Sequence, residues 1–376
     1  MLPGMRTAGK YADYKRIVNL NGIINIYKER GYTSHDVVAR LRGITGQRKM
    51  GHTGTLDPDA EGVLPVCLGT ATKACDVLTD KTKSYETVML LGIATDSQDI
   101  SGKITERADE AELRKLTDEQ IREAIMSMVG EYDQLPPMFS AVRLGGQRLY
   151  EMARAGKEVE RRTRRVEISS IDITSDIVRR RADEEFRADD LYDNSRMKKY
   201  IGRARDEQGR FERTSGCIYN EMDADSYVIR VAFAIECSKG TYVRTVCNDI
   251  GEKLGVHACM ERLVRTRVSG FSLEDSLLLS EVEELVRNDE LAEPVICADS
   301  CFMDYKRLDT KEKYDELLYN GNQLWFRHFS QYINDPPSPV RVYSSKGEFL
   351  GIYEYLEGRN KYTPVKVFYS VGEDND

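Results

Sequence analysis

The sequence predicts an α/β chain of the α+β type, with strands and helices in irregular alternation and a small β-rich region at its end. Three observations carry this. Tyr227, Ile229, Val231, Phe233 and Ile235 alternate strictly with the residues between them, the period of a strand with one buried face. Thr117 stands three residues before Gln120 and Thr33 three before Asp36, each just ahead of apolar residues, the spacing of a capped helix start. Residues 296–376 hold short aromatic and β-branched runs separated by turn residues. At ~150 residues per domain, 376 residues suit about two domains.

The elements follow in order. Gly22 to Tyr27 (GIINIY) reads as a buried strand, and the helix after Thr33 puts Val37, Val38 and Leu41 on one face. Residues 43–62 form a glycine-rich loop. Tyr85 to Ile93 reads as a strand and 96–103 as a turn. The Thr117 helix runs to about Val129, with Gly130 as its stop. Pro136-Pro137 breaks the chain before a strand from Phe139 to Leu144, and Val166 to Val178 alternates as another. Residues 179–225 are dense in both charges and poor in apolar side chains, so they read as a solvated or partly disordered insertion between two strands. Gly240-Thr241 opens a helix carrying Val243, Val246, Ile250 and Leu254, and Ser280 with Glu283 caps another. The acidic run from Glu281 to Glu293 marks a boundary. The chain thus divides into an N-terminal extension (1–21), a large domain (22–295) and a small β-rich domain (296–376). The small domain has strands at Val340 to Tyr343, Phe349 to Tyr355 and Pro364 to Tyr369 around a Lys346-Gly347 turn.

Several chemistries are disfavoured. No stretch approaches the ~18 apolar residues of a membrane span, and the N-terminus lacks an apolar signal core, so a cytoplasmic location is expected. Eight cysteines are scattered without a CxxC; Cys297 and Cys301 make a lone CxxxC, which suits reduced thiols better than zinc. His35, His52, His257 and His328 show no ligand spacing, so no metal is expected. Gly46 to Gly51 starts like a phosphate loop, but His52-Thr53 stands where Lys-Ser/Thr is required. No GxSxG or GxGxxG occurs. A net charge of −8 argues weakly against nucleic acid for the chain as a whole, while leaving room for a basic face.

The positive signal is Gly51-His52-Thr53-Gly54-Thr55-Leu56-Asp57-Pro58. The glycines let the backbone bend, and the proline holds Asp57 in an extended conformation, so its carboxylate projects. An Asp-Pro turn with a capping aspartate fits the same letters. Arg244 falls in the first turn of the helix after Gly240, poorly placed for the helix dipole, so a carboxylate partner is expected unless it is a surface arginine. Pairing with Asp57 would fix that carboxylate in its charged form. Tyr85, after Lys83-Ser84, is a core aromatic or a stacking platform.

The run Gly51 to Lys73, GHTGTLDPDAEGVLPVCLGTATK, resembles the signature of the TruB family of bacterial tRNA pseudouridine-55 synthases. The resemblance continues in Lys83-Ser84-Tyr85, Thr95 to Asp99, Pro137 to Ala141, Arg148 to Arg154, Cys237 to Thr245 and Leu263 to Arg267. It implies a pseudouridine synthase fold, a mixed, largely antiparallel sheet flanked by helices, with the small C-terminal domain as a PUA-like RNA-binding module. It also implies the activity: one uridine, at position 55 of the tRNA T loop, is flipped out and isomerised. Asp57 then matches the essential aspartate, which attacks C1′ or removes the 2′ proton. Tyr85 matches the tyrosine that stacks on the flipped base and takes the C5 proton, and Arg244 the arginine that pairs with the aspartate. Asp99 matches a second acid near that arginine, His52 the histidine that enters the T loop, and Leu263 an apolar wall. Tyr242 falls in the matching run beside Arg244, and Lys28 is one of several basic residues expected to meet phosphates. The implied partner is the tRNA T stem-loop, with no cofactor, no membrane and no obligatory protein partner, and the chain acts as a monomer. Departures are Lys28-Glu29 in place of Lys-Pro, Cys259 in place of histidine or tyrosine, and the insertion at 179–225. An RNA-touching arm is the other reading of that insertion, disfavoured by its mixed charges.

Overall fold

The computed structural model describes residues 20–79, 82–140, 142–157, 159–181 and 226–369. Among these, ten strands form one mixed sheet. Its spine runs in the order Gly22–Lys28, Glu61–Leu68, Ala258–Val268, Lys83–Leu91, Tyr227–Cys237, Arg164–Ile173, Gly130–Gln134. Every pairing along this spine is antiparallel except one. Val264 and Arg265 run parallel to Glu61 and Gly62.

The alternation seen in the sequence sorts the central strand. Ile229, Val231, Phe233 and Ile235 pack into one cluster with Val243, Val246 and Ile250 of the helix Val243–Leu254. That shared burial docks the helix on the sheet, at ~25 cal/mol per Å² of apolar surface removed from water. Toward the edge strand Gly22–Lys28, the helix Ser34–Thr45 buries Val37, Val38, Leu41 and Ile44 against Ile24, Ile26, Leu64 and Val66. Both capping boxes form: Thr33 with Asp36, and Thr117 with Gln120.

Several expected boundaries move. The Thr117 helix ends at Met126, and Gly130, at φ +110°, opens the edge strand instead of closing the helix. The strand expected from Phe139 shrinks to Arg143–Leu144, because its partner is the two-residue strand Gln147–Arg148 across the Gly145-Gly146 turn. The glycine-rich stretch 43–62 holds the end of a helix and a short strand, Met50–His52. The helix Leu279–Asn288 is capped at Leu278, whose N–H donates to Glu281 (2.8 Å), not by Ser280 and Glu283. Val166 to Val178 is two strands on one partner. Arg164–Ile173 ends where the Ser175 hydroxyl accepts from Ala232 N–H (2.9 Å), and Val178–Arg181 then resumes the pairing. Arg179 to Arg181 therefore belong to the sheet; the rest of the expected insertion lies outside the described residues, as does nearly all of the extension 1–21.

A second, five-stranded sheet is built from Lys306–Asp309, Val340–Tyr343, Phe349–Leu356, Lys361–Val367 and Leu324–Trp325. It has its own core around Leu318, Phe329, Val342, Tyr353 and Tyr362. The expected division at 295/296 falls beside Ile296, which pairs with Ile23. Ala298 and Phe302 pack with Tyr27 and Val63 of the large sheet and with Ile352 and Phe368 of the small one.

Candidate active site

Asp57 stands in the loop between the strands Met50–His52 and Glu61–Leu68. Its neighbours are fixed on both sides. Leu56 N–H donates to the Ser34 hydroxyl at 2.9 Å, and the Pro58 carbonyl accepts from Gly31 N–H at 2.9 Å and from Lys28 Nζ at 3.1 Å. This corrects the expectation for Lys28. Its ammonium is fully buried and also donates to the carbonyls of Tyr32 (2.6 Å) and Glu29 (3.2 Å), so it pins the loop and cannot meet a phosphate. Burial pulls its pKa down to about 8, against the opposing pull of Glu61, Asp59 and Asp57.

Arg244 lies opposite, 5% exposed, in the first turn of its helix. One guanidinium nitrogen is 3.2 Å from Asp57 Oδ2 and donates to the Phe139 carbonyl at 2.7 Å; another donates to Asp99 Oδ2 at 3.4 Å. Asp99 is itself held, its Oδ1 accepting from the Ser97 hydroxyl (2.7 Å) and Ser101 N–H (3.0 Å). The expected Asp57–Arg244 pair is therefore present. Desolvation raises the Asp57 pKa above the usual carboxylate range, Arg244 pulls it back, and Asp99 pushes it up again. The Asp57 side chain keeps 42% exposure, facing the one open side of its surroundings.

That opening is a cavity of about 780 Å³. Asp57, Tyr85, Tyr242, Arg244 and Leu263 line it, as the sequence suggested; His52, Asp99 and Lys28 do not. Asp99 acts on Arg244 from behind. His52 lies outside on the strand leading to the loop, its ring edge-on to His35 at 5.1 Å, and burial lowers its pKa so that it is neutral at pH 7.

Tyr85 is 8% exposed, between Ile235 and Arg265 on the flanking strands. Burial pushes its pKa up to about 12, with Arg265 opposing, so it is a neutral phenol at pH 7. Arg265 is the residue that sequence reasoning left without a role. It is 1% exposed, donates to the carbonyls of Val63 (2.7 Å) and Gly54 (3.3 Å), and stands opposite Tyr85 on the neighbouring strand, where its charge favours the ionised phenol. The strand Ala258–Val268 carries three arginines, Arg262, Arg265 and Arg267, and nothing in the sequence singles out Arg265 among them. It comes this close because Gly62 has no side chain: a Cβ there, at φ +103°, would lie 2.2 Å from the Arg265 carbonyl oxygen. Lys83, Arg164, Arg165 and Lys239 also line the cavity, so Asp57 is the one acid among six basic lining residues. Despite the chain's net negative charge, this opening suits a polyanion.

Comparison with known proteins agrees with this architecture. Residues 42–189 match the TruB family pseudouridylate synthase N-terminal domain, and residues 244–302 the tRNA pseudouridylate synthase B C-terminal domain. The chain is 43% identical over 352 residues to tRNA pseudouridine synthase B of Lachnoclostridium phytofermentans, covering 93% of this chain and 100% of the relative. It is 41% identical over 272 residues to the protein of that name from Streptococcus pneumoniae, covering 72% and 77%. Among solved structures, an H/ACA RNP bound to a substrate RNA containing 2′-deoxyuridine shares the fold, with a TM-score of 0.57 at 20% identity over 93% of this chain and 85% of that one. A Cbf5-Nop10-Gar1 complex does likewise, with a TM-score of 0.57 at 21% identity over 92% and 84%. With its two family matches together spanning more than half of its length, and with these relatives aligned along most of it, the chain belongs to the TruB family of pseudouridylate synthases.

Proposed function

We propose that this chain isomerises uridine-55 in the T loop of tRNA to pseudouridine. The observation that carries the reading is the Asp57–Arg244 pair, set in a cavity whose lining includes five further cations and the rings of Tyr85 and Tyr242. The reaction breaks the C1′–N1 bond, turns the uracil and bonds C5 to C1′, with the C5 proton leaving last. Atoms and electrons balance within one nucleotide, so neither redox partner nor cofactor enters. Asp57, held ionised by Arg244, opens the glycosidic bond as nucleophile or as base toward the 2′ position.

A base inside a duplex or loop stack must be extruded to reach Asp57. Tyr85 and Leu263 receive it, one ring face and one apolar wall. The Arg265 charge beside Tyr85 lowers the cost of ionising that phenol, which is neutral at rest, when the C5 proton must be taken. His52, outside the cavity, wedges the T loop. Lys83, Arg164 and Lys239 meet backbone phosphates.

The small sheet serves as the PUA-like RNA-binding module. Trp325 offers it a half-exposed stacking surface, with Arg327 at 5.7 Å and Lys361 at 5.5 Å from the ring. We place the enzyme in the cytoplasm, acting as a monomer on tRNA without an obligatory protein partner. The test is purified chain with a bare T stem-loop, followed by digestion and chromatography with mass spectrometry. Pseudouridine at the single expected position supports the reading; product formed only with added guide RNA or protein would overturn it.

A further inference from the structure

The edge strand Gly130–Gln134 ends in a side chain that reaches the site from behind. Gln134 is 1% exposed, and its amide meets the Tyr242 backbone twice. Oε1 accepts from Tyr242 N–H at 2.8 Å, and Nε2 donates to the Tyr242 carbonyl at 3.1 Å, imitating the bonding of a neighbouring strand. Tyr242 is the cap residue of the helix Val243–Leu254, extended at φ −99° and ψ 106°, with no side-chain cap of its own. Its carbonyl also accepts from Thr245 N–H and Val246 N–H, both at 3.1 Å. The peptide that aims the first helical turn is thus held by an amide 108 residues away in the chain.

Two residues beyond that peptide is Arg244. The stretch following Gln134 touches it again, because the Phe139 carbonyl accepts from its guanidinium at 2.7 Å, and Pro136-Pro137 stiffens the span between. The amide cannot flip freely. Nε2 also donates to the Tyr132 hydroxyl on the same edge strand. The edge strand therefore grips the helix at its cap.

We propose that Gln134 is a positioning residue for the Asp57–Arg244 pair: it clamps the Tyr242 backbone and so sets where the Arg244 guanidinium meets Asp57. It does not line the cavity and acts through Tyr242. The proposal rests on the reading of Asp57 and Arg244 as the reacting pair.

The test compares Gln134→Leu, Gln134→Glu and Asp57→Asn with the parent chain on T stem-loop RNA, by single-turnover rate, RNA affinity and thermal melting. Gln134→Leu should lose about ten- to a hundredfold in rate while RNA affinity stays within about threefold, since misplacement costs rate more than binding. Gln134→Glu should fall between, and its rate relative to the parent should recover as pH falls. Only the protonated acid can both accept and donate, and its titratable neighbours, Tyr132 and Asp249, are common to both proteins. A parental rate in Gln134→Leu overturns the clamp, as does a loss of rate matched by an equal loss of affinity. If Gln134→Leu does not fold, a Gln134→Glu pH profile parallel to the parent's overturns it instead. Asp57→Asn separates the two ideas: if it is active, the underlying reading fails, whereas an inactive Asp57→Asn beside a fully active Gln134→Leu removes the clamp alone.

Discussion

Two carboxylate–arginine pairs start four residues apart on the same stretch of chain, Asp57 with Arg244 and Glu61 with Arg262. The Glu61 pair is closed. Two guanidinium nitrogens meet Glu61 Oε2 at 3.2 and 3.0 Å, the Tyr27 hydroxyl donates to Oε1 at 3.3 Å, and the side chains are 2% and 9% exposed. The Asp57 pair is open. It has one 3.2 Å contact, and the carboxylate keeps 42% of its side-chain surface free toward the cavity. The ionic chemistry is the same in both. The difference is the unfilled side, which leaves Asp57 lone pairs for a reacting atom and Glu61 none.

The largest expected effect breaks the open pair. Asp57→Asn should lower the single-turnover rate by at least about a thousandfold while RNA binding stays within a few fold, because shape survives and charge does not. A rate near the parent's would mean the open side is not where reaction occurs. Breaking the closed pair should act on folding instead. Glu61→Gln takes from Arg262 the buried carboxylate oxygen that two of its nitrogens meet, at a cost of about 1–3 kcal/mol. Denaturant titration should show that loss, and the folded fraction should turn over at nearly the parental rate. Arg244→Lys keeps the charge but loses the planar fork that spans Asp57, Asp99 and the Phe139 carbonyl, so the rate should fall about a hundredfold.

The smallest effect sharpens the contrast through pH. The Asp57 pKa is raised in the folded state, so its contribution to stability is fully present below the unfolded carboxylate value and is lost as pH rises through the folded value. The melting temperature of Asp57→Asn should therefore gain on the parent's from acid to neutral pH. Over the same interval the parent's rate should rise as Asp57 ionises. A constant gap between the two melting curves would count against a raised Asp57 pKa in the folded state.

Local signals were legible where one element decides the outcome. Strict alternation found the Tyr227–Cys237 strand, and capping spacing found two helix starts. The dipole argument called for an acid near Arg244, and the family resemblance named Asp57 as that acid. What stayed hidden depends on distant chain. Lys28 sits at the end of an apolar strand like any surface lysine, and only the fold brings it three carbonyls. The strand expected from Phe139 shrinks for a nearer reason, because the partner it finds is the two-residue strand Gln147–Arg148. Ser280 has the right spacing for a cap, yet the cap forms two residues earlier, between Leu278 and Glu281. Gln134 gave no sign at all, since its partner is a backbone 108 residues on.

The placement of Ala258–Val268 between Glu61–Leu68 and Lys83–Leu91 has a consequence for biosynthesis. The flanking strands leave the ribosome about 170 and 190 residues before the one that joins them. At roughly 5–20 residues per second, they wait about 10–30 s with apolar edges unpaired. Through that interval the nascent chain holds Asp57 and Tyr85 but lacks Arg244, Leu263 and Arg265, and it presents the open strand edges that chaperones bind and that aggregates grow from. A message truncated anywhere before that strand would therefore yield an inert, sticky fragment in place of a weak enzyme.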